Sequence, residues 1–254
     1  MAYQQYFYRL SELIKPSSPG IDWAVIKGTH MTLVYYEMTA GAPMPVKTHK
    51  HTNYQFSMPV EGYMEQTVGN ETRIVYPGEI VYIAPNVLHS GRLVGHDCKL
   101  IDIFTPRRDD HYANYLEKKQ ALFDGKDAPS EETPKLELPS FFCFDEHRIP
   151  LTDGCSLSPF DIPEMTAASL VVGIDPKEDR HNHIYEQINT YLAGEMLMTV
   201  GDKSQLVGPG WVVVIPPDVP HDGLMLKPAL QVNFSSPARG SGYADFLRKT
   251  FSAK

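Results

Sequence analysis

Short runs of apolar residues, rich in Val, Ile, Tyr and Phe and bounded by Gly, Pro or Asn, recur along the whole chain. Runs of this length and composition are typical of β-strands. The 18 glycines and 21 prolines among 254 residues indicate many turns and also favour a β-rich fold. The clearest runs predict strands at 32–38, 64–68, 79–83, 100–104, 169–174, 195–200, 211–215 and 230–234.

The sequence repeats itself at a shift of 132 residues. This shift aligns identical His, Gln, Gly and Pro residues of the two halves, in the pairs His49 and His181, His51 and His183, Gln55 and Gln187, Gly62 and Gly194, Gly78 and Gly210, Pro85 and Pro217, and His89 and His221. The chain has only 10 histidines, so three His-on-His matches at one shift are hard to obtain by chance. Farther on, the shift becomes 131 and aligns Pro106 with Pro237 and Arg108 with Arg239. We therefore interpret the chain as one duplicated domain.

The repeat also predicts the domain boundaries. Each copy ends in a short helical pattern, in which aromatic and Leu residues recur at spacings of three and four. The Pro-rich and charged segment between the copies has the composition of a linker. We expect a first domain at 1–116, a linker at 117–140 and a second domain at 141–254. The opening aromatic segment lies outside both copies, and we expect it to pack on a domain surface or on a partner subunit.

The repeated histidines predict a metal site in each copy. In a strand, residues i and i+2 point to the same face, so each His-x-His pair presents two imidazoles to one point. The Gln comes four residues later, about 13 Å away along a straight strand, so the chain must turn for it to reach the same ion. Imidazole nitrogen suits several transition metals, and an amide oxygen is a tolerable fourth donor. The predicted ligands are His49, His51, Gln55 and His89 in the first copy and His181, His183, Gln187 and His221 in the second.

Two interpretations of these histidines compete. A single His-x-His pair is more often a pair of surface or satisfied core residues than a pair of ligands. The repetition of all four polar positions in both copies favours the metal. We expect one divalent ion for each copy, and the ligand set does not distinguish Zn, Fe, Ni, Mn or Co. Because three His and a Gln are all neutral, the ion would keep its full charge and act as a strong Lewis acid.

A second group of polar residues follows the last predicted strand of the first copy. Asp102 and Phe104 share one face of that strand, and Arg108 comes shortly after it. If this face lines the interior, Asp102 is an acid/base next to the metal, Phe104 is a platform and Arg108 binds a carboxylate. The alternative is a structural ion pair between Asp102 and Arg108. The second copy has Asn233 in place of Asp102 and keeps an arginine at Arg239.

The paired motifs resemble those of the cupin superfamily. The first copy reads Gly41-x7-His49-x-His51-x3-Gln55-x6-Gly62, followed by Gly78-x5-Ala84-x-Asn86-x2-His89, and the second copy has the same His and Gln spacings. The resemblance implies an all-β fold of two tandem cupin barrels, each of the double-stranded β-helix or jelly-roll type, with short C-terminal helices and a metal in each barrel. Gln replaces the usual Glu ligand in both copies.

Two narrower resemblances concern function. The stretch Asp102-x-Phe104-x-Pro106-x-Arg108 is similar to the cupins of pectin and alginate breakdown that linearise 4,5-unsaturated uronates, which implies catalytic roles for Asp102 and Arg108. The duplication with His, His, Gln and His sites instead resembles the bicupin isomerase of bacilysin biosynthesis, which acts on a keto acid. Gln55, Phe104, Asn233 and Arg239 are the further candidates for substrate binding.

The favoured hypothesis is therefore a metal-dependent, non-oxidative isomerase or tautomerase of a small unsaturated sugar acid or keto acid. A cupin dioxygenase with a redox metal and a non-catalytic metal- or sugar-binding bicupin are the alternatives. The net charge of −8 without a basic cluster argues against a nucleic-acid partner. We expect a cytoplasmic protein without a membrane span, with a small carboxylate as its substrate and homo-oligomerisation left open.

Overall fold

The computed structural model describes residues 5–42, 48–108, 137–152, 154–174 and 177–252. Its backbone contacts divide the chain into two units, each built around one antiparallel sheet. The first unit comprises Ile14–Lys27 and Met31–Cys143, and we call it the first barrel. The second unit, called the second barrel, comprises Met1–Leu13, Gly28–His30 and Phe144–Lys254.

The first described strand is β1 (Phe7–Arg9), and it belongs to the second barrel. The first barrel contains the next eight strands, which are β2 (Lys15–Ser18), β3 (Ile21–Lys27), β4 (Thr32–Met38), β5 (Tyr54–Val68), β6 (Glu71–Val75), β7 (Glu79–Ile83), β8 (His89–Thr105) and β9 (Phe141–Cys143). Their order in the sheet is β2-β3-β4-β8-β5-β7-β9, and β6 pairs with β5.

Two long strands, β5 and β8, pair along nearly their whole length. The first half of β5 also pairs with β7 and its second half with β6. Between the two halves lies Gly62, with φ of 71°, where a Cβ atom would clash with the Asp97 carbonyl oxygen. Glycine is the residue that tolerates both the positive φ and this close approach, so the strand changes register there.

The second barrel repeats this arrangement. Its further strands are β10 (Ile149–Thr152), β11 (Cys155–Ile162), β12 (Met165–Val172), β13 (Lys177–His181), β14 (Glu186–Val200), β15 (Lys203–Val207), β16 (Trp211–Ile215), β17 (His221–Ser236) and β18 (Phe251–Ser252). Their order is β1-β16-β14-β17-β12-β11-β10, with β13 between β17 and β18 and with β15 on β14.

The few helices of the described residues lie in the second barrel. They are α1 (Leu10–Leu13) and α2 (Tyr243–Thr250), and a 3-10 turn spans Phe144–His147. The terminal helix predicted for the second copy is α2, while the one predicted for the first copy lies outside the described residues. Tyr243 and Leu247 of α2 are buried against the sheet, as their spacing of four predicts. None of the helices in the described part of the chain has the length and apolar character needed to cross a bilayer.

The prediction of an all-β fold with tandem barrels is confirmed. The buried cores consist largely of aliphatic residues that alternate along the strands with polar ones. In the second barrel, for example, Leu157, Leu170 and Val213 are buried on strands of the same sheet. In each sheet, one face also carries buried polar side chains, among them His and Gln residues of both barrels. That face contains the candidate site.

Candidate metal centres

The three predicted histidines of the first barrel come from neighbouring backbone segments. His49 forms an isolated antiparallel bridge with His89, the first residue of β8. The turn before β8 contains Asn86 with φ of 63°, and its backbone N–H donates to the carbonyl oxygen of His51 at 2.7 Å. Asn is one of the residues that tolerate this left-handed conformation. Asp218 and His183 reproduce the same turn in the second barrel, with a distance of 2.8 Å.

These segments bring the ligand atoms of each triad together. The candidate atoms of His49, His51 and His89 all lie within 4.8 Å of one another, and the same holds for His181, His183 and His221. The Gln of each barrel joins its triad from the start of the next strand. The distance from His51 Nε2 to Gln55 Oε1 is 2.8 Å, and that from His183 Nε2 to Gln187 Oε1 is 3.1 Å. The turn expected between the second His and the Gln is present in both copies.

Backbone carbonyl groups orient the imidazole rings of both triads. The Nδ1 atoms of His51, His89, His181, His183 and His221 each lie 2.8–3.0 Å from a carbonyl oxygen of their own loop. Since a carbonyl oxygen can only accept, Nδ1 carries the proton and donates it. Nε2 then presents a lone pair toward the centre, the arrangement found for histidines that bind metals.

The residues present fit a divalent cation. His221 Nε2 is buried and has no hydrogen-bond partner among the described residues. In the first barrel the Gln55 oxygen faces the His51 imidazole nitrogen, and two acceptors at this distance are compatible when a cation lies between them. Burial lowers the pKa of His183 to about 4 and that of His221 to about 2, so both rings are neutral, as ligation requires. Each barrel therefore provides a site for one divalent metal ion.

The first barrel places one carboxylate on the same face as these ligands. In the antiparallel register Gln55 lies opposite Phe104, and Ser57 lies opposite Asp102, so all four side chains point to one side of the sheet. Asp102 is 6% exposed, and its Oδ1 atom has no hydrogen-bond partner among the described residues. Burial raises the pKa of Asp102 to about 6, although hydrogen bonds from Ser57 and Gln55 and the charge of Arg108 oppose this shift.

Arg108 and Phe104 form one unit beside this carboxylate. The Arg108 guanidinium lies over the Phe104 ring, with its Cζ 4.8 Å from the ring centroid. The same ring packs edge-on against His51, with centroids 5.6 Å apart. The backbone N–H of Arg108 donates to the hydroxyl of Thr32 at 3.0 Å, which fixes the start of this segment to β4. The side chain is buried. Asp102, Phe104 and Arg108, which the sequence analysis singled out together, thus lie beside the first triad.

The second barrel keeps the arginine but changes its surroundings. Asn189 lies opposite Asn233, and Gln187 lies opposite Ser235, the counterpart of Phe104. Without an aromatic ring at that position, Arg239 donates from Nε to the Ser235 hydroxyl at 2.8 Å. Its Nη2 atom also contacts Gln187 Oε1 and lies 3.1 Å from His183 Nε2. The guanidinium of the second barrel therefore lies directly against two of the candidate ligand atoms.

A buried carboxylate that the sequence analysis missed lies beside the second triad. Glu178 is 8% exposed, and its Oε1 is 3.6 Å from His181 Nε2. Burial raises the pKa of Glu178, while the charges of His181 and Arg239 oppose the shift. The repeat aligns Glu178 with Val46, so the first copy has no acidic residue at this position. The signal available in the sequence was an unmatched Glu three residues before the His-x-His pair.

Comparison with known proteins agrees with this geometry. Residues 34–104 and 170–224 match the family described as the cupin domain. An uncharacterized protein of Streptomyces coelicolor is 28% identical over 101 residues, which are 39% of this chain and 94% of that protein.

Among solved structures, a serine-to-alanine mutant of Bacillus subtilis oxalate decarboxylase aligns with a TM-score of 0.72 and 12% identity, and the alignment covers 100% of this chain and 90% of that one. Lactobacillus farciminis oxalate decarboxylase in complex with formate aligns with a TM-score of 0.70 and 13% identity over 93% of this chain and 88% of that one. Another structure of the Bacillus subtilis enzyme, from work on its Mn(II) centres, gives a TM-score of 0.72 at 14% identity and covers 100% of this chain and 90% of that one. These likenesses show the fold, and the prediction of one divalent metal site in each barrel is confirmed.

Proposed function

We propose that this chain, which matches the cupin domain at residues 34–104 and 170–224 and brings three His and a Gln together in each barrel, is a metal-dependent isomerase or tautomerase. The reaction takes place in the first barrel and moves a proton without net oxidation. Its substrate is a small unsaturated sugar acid, such as a 4,5-unsaturated uronate that undergoes ring opening, or a keto acid with a mobile double bond.

The observation that carries this proposal is the position of Asp102. Its carboxylate lies on the sheet face that also presents Gln55, it is buried, and one of its oxygen atoms lacks a protein partner among the described residues. A buried acceptor without a partner is unfavourable in a finished core, and such groups recur where a ligand supplies the missing contact. A carboxylate in this position can take a proton from a substrate and return it to another atom.

The neighbouring residues support a carboxylate-bearing substrate. Arg108 has a planar guanidinium that can bind a carboxylate through two parallel hydrogen bonds. Its stacking on Phe104 limits the orientations of the guanidinium plane. The same ring is a platform for the planar, conjugated part of an unsaturated acid. Burial of all three side chains keeps water away from the proton that Asp102 moves.

His49, His51, His89 and Gln55 would hold the ion of this centre. When bound, a divalent ion supplies Lewis-acid polarisation of a hydroxyl or carbonyl oxygen. The ligand set carries no negative charge, so none of the ion's charge is neutralised by the residues that bind it. A neutral set of this kind provides no anionic donor to stabilise a higher oxidation state, which favours proton transfer over a dioxygenase reaction.

The test is turnover without oxygen. The purified protein, loaded with zinc, is incubated under argon with a 4,5-unsaturated galacturonate or with a keto acid that contains a mobile double bond. Loss of the conjugated double bond is followed by absorbance, and the product is identified by NMR. We expect turnover that is independent of oxygen and absent in the control variant His49→Ala.

Three results would overturn the proposal. Consumption of one dioxygen per turnover would assign a dioxygenase reaction instead. Binding of both acids without conversion would assign a metal- or sugar-binding protein. Conversion that survives His49→Ala but not His181→Ala would place the reaction in the second barrel.

A further inference from the structure

The guanidinium of Arg239 contacts two of the candidate ligand atoms of the second centre. Its Nη2 atom donates to Gln187 Oε1 and lies 3.1 Å from His183 Nε2. The His183 ring donates from Nδ1 to the Tyr185 carbonyl oxygen at 3.0 Å, so Nε2 is the acceptor in its contact with the guanidinium. One nitrogen of the guanidinium therefore bridges a histidine lone pair and an amide oxygen, both of which a bound ion would also use.

The contact with His183 differs from those that usually support a metal ligand. Supporting groups bind the imidazole nitrogen that faces away from the metal, as the Tyr185 carbonyl oxygen does at Nδ1 of His183. Arg239 instead binds Nε2, the nitrogen that the ring presents to an ion. Because a neutral imidazole has one acceptor nitrogen with one lone pair, Nε2 can accept from the guanidinium or bind an ion, but not both.

Several contacts hold the guanidinium in this position. Its Nε atom donates to the Ser235 hydroxyl at 2.8 Å, and the backbone N–H of Arg239 donates to the Thr166 hydroxyl at the same distance. The Cζ atom lies 4.2 Å from the centroid of the Tyr243 ring and 5.0 Å from that of the Tyr185 ring, within the range of cation–π attraction. A planar guanidinium held in this way loses little conformational entropy when it binds the ligand atoms, which makes it an effective competitor for them.

The first barrel has a different residue beside its arginine. Phe104 takes the place of Ser235. Its ring packs edge-on against His51, the counterpart of His183, with centroids 5.6 Å apart. The Arg108 guanidinium lies over the same ring. The two arginines are aligned by the repeat, but an aromatic ring lies against the first and a hydroxyl group accepts from the second.

We propose that Arg239 is an internal competitor of the ion at the second metal centre. The guanidinium and a divalent cation exclude each other at His183 Nε2, so the second centre has a lower affinity than its three His and one Gln would give alone. The positive charge of Arg239 also repels the ion, although the nearby charge of Glu178 partly balances it. This inference concerns metal binding and holds whichever reaction the protein catalyses.

The test measures metal affinity at the second centre alone. The full chain with His49→Ala is the parent protein, so that one Zn²⁺ remains bound, and its affinity is measured by competition with a chromophoric chelator. In this parent, Arg239→Met is expected to tighten Zn²⁺ binding by about 10- to 100-fold, because the ion no longer has to displace a charged hydrogen-bond donor. The matched control is Arg248→Met, which removes the same charge from an exposed arginine of the same barrel that pairs with Asp245. Its effect is expected to stay within about twofold, because solvent and salt screen it.

A second measurement separates competition from a structural role. Urea unfolding of metal-free Arg239→Met is expected to show lower stability than that of the parent, because the contacts of the guanidinium are lost, while its Zn²⁺ binding is tighter. If this variant does not fold, Arg239→Gln replaces it, since its amide nitrogen takes the place of Nε and it has no counterpart of Nη2. Binding by a folded variant equal to that of the parent would overturn the proposal and make Arg239 a structural residue. Weaker binding would also overturn it and make Arg239 a contact that positions Gln187 and His183 for the ion.

Discussion

Asp102→Asn should reduce turnover and raise the stability of the metal-free protein at the same time. The substitution keeps the shape of the side chain and copies the residue of the second barrel, Asn233. Asn cannot exchange a proton near neutral pH, and positioned proton transfer typically contributes 10²–10⁴ in rate. We therefore expect turnover to fall by about that factor while both metal ions stay bound.

The stability change follows from the raised pKa of Asp102. Its pKa is about 6 in the folded protein against an ordinary value of 3.8, so folding binds a proton more tightly. The stability from this group is fully present below about pH 4 and is lost as the pH rises through about 6. A difference of about two pKa units corresponds to roughly 3 kcal/mol at pH 7. Because Asn satisfies the Ser57 and Gln55 hydrogen bonds less well, the net gain of Asp102→Asn is about 1 to 3 kcal/mol.

The assay compares wild type and Asp102→Asn by urea unfolding after chelation of metal, at pH 7 and at pH 4. The variant should be more stable at pH 7, and the difference should disappear at pH 4, where both side chains are neutral. Elemental analysis verifies two ions per chain in the untreated variant, and Asn233→Ala, the control in the other barrel, should change turnover little. A variant that is less stable at pH 7, or one that keeps near-normal turnover, would contradict the role assigned to Asp102.

Two further predictions concern the ion and the substrate. His49→Ala and His181→Ala should each remove about one of the two ions per chain, because each side chain is one of four donors of a separate centre. Elemental analysis measures the metal content. Loss of both ions from one substitution would contradict two independent sites. Arg108→Lys should raise KM for the carboxylate substrate by about 10-fold or more, with a smaller effect on kcat. The reason is that Lys cannot reproduce two parallel hydrogen bonds or the stacking on Phe104. An unchanged KM would mean that the carboxylate of the substrate binds elsewhere.

The sequence predicts best those strands that consist mostly of apolar residues. The bounds predicted for β4, β7 and β16 agree with the structure, because each strand is a short buried run with turn residues at its ends. The long strands β5 and β8 begin well before their predicted segments. In β8 the residues from His89 to Lys99 are largely half-exposed or exposed and pair with an equally polar part of β5, so no apolar pattern marks them.

Residues that depend on non-local pairing escape sequence prediction for a different reason. The aromatic segment at the N-terminus was expected to pack on a domain surface or on a partner subunit, and Phe7–Arg9 forms strand β1 beside β16, a partner about 200 residues away in sequence. A local pattern contains no information on such a partner. Glu178 is not predicted by the repeat, because the first copy has Val46 at this position and the motif consists of residues that both copies share.

The difference between the copies is informative about how the two centres can diverge. Duplication preserved the side chains that must meet at one point, since the loss of one donor weakens the whole site. The residues around them differ between the two barrels. The second barrel has Ser235 at the position of Phe104, and its arginine contacts the ligand atoms and the rings of Tyr185 and Tyr243. It has Asn233 at the position of Asp102, and its buried Glu178 lies on another strand. Each barrel thus retains one arginine and one buried carboxylate around neutral donors, but the carboxylate contacts the Gln ligand in the first barrel and a His ligand in the second. The first barrel therefore combines neutral donors with a carboxylate beside the Gln ligand, whereas in the second barrel a guanidinium contacts two of the donors, and this asymmetry is the reason for placing the proposed proton transfer in the first barrel.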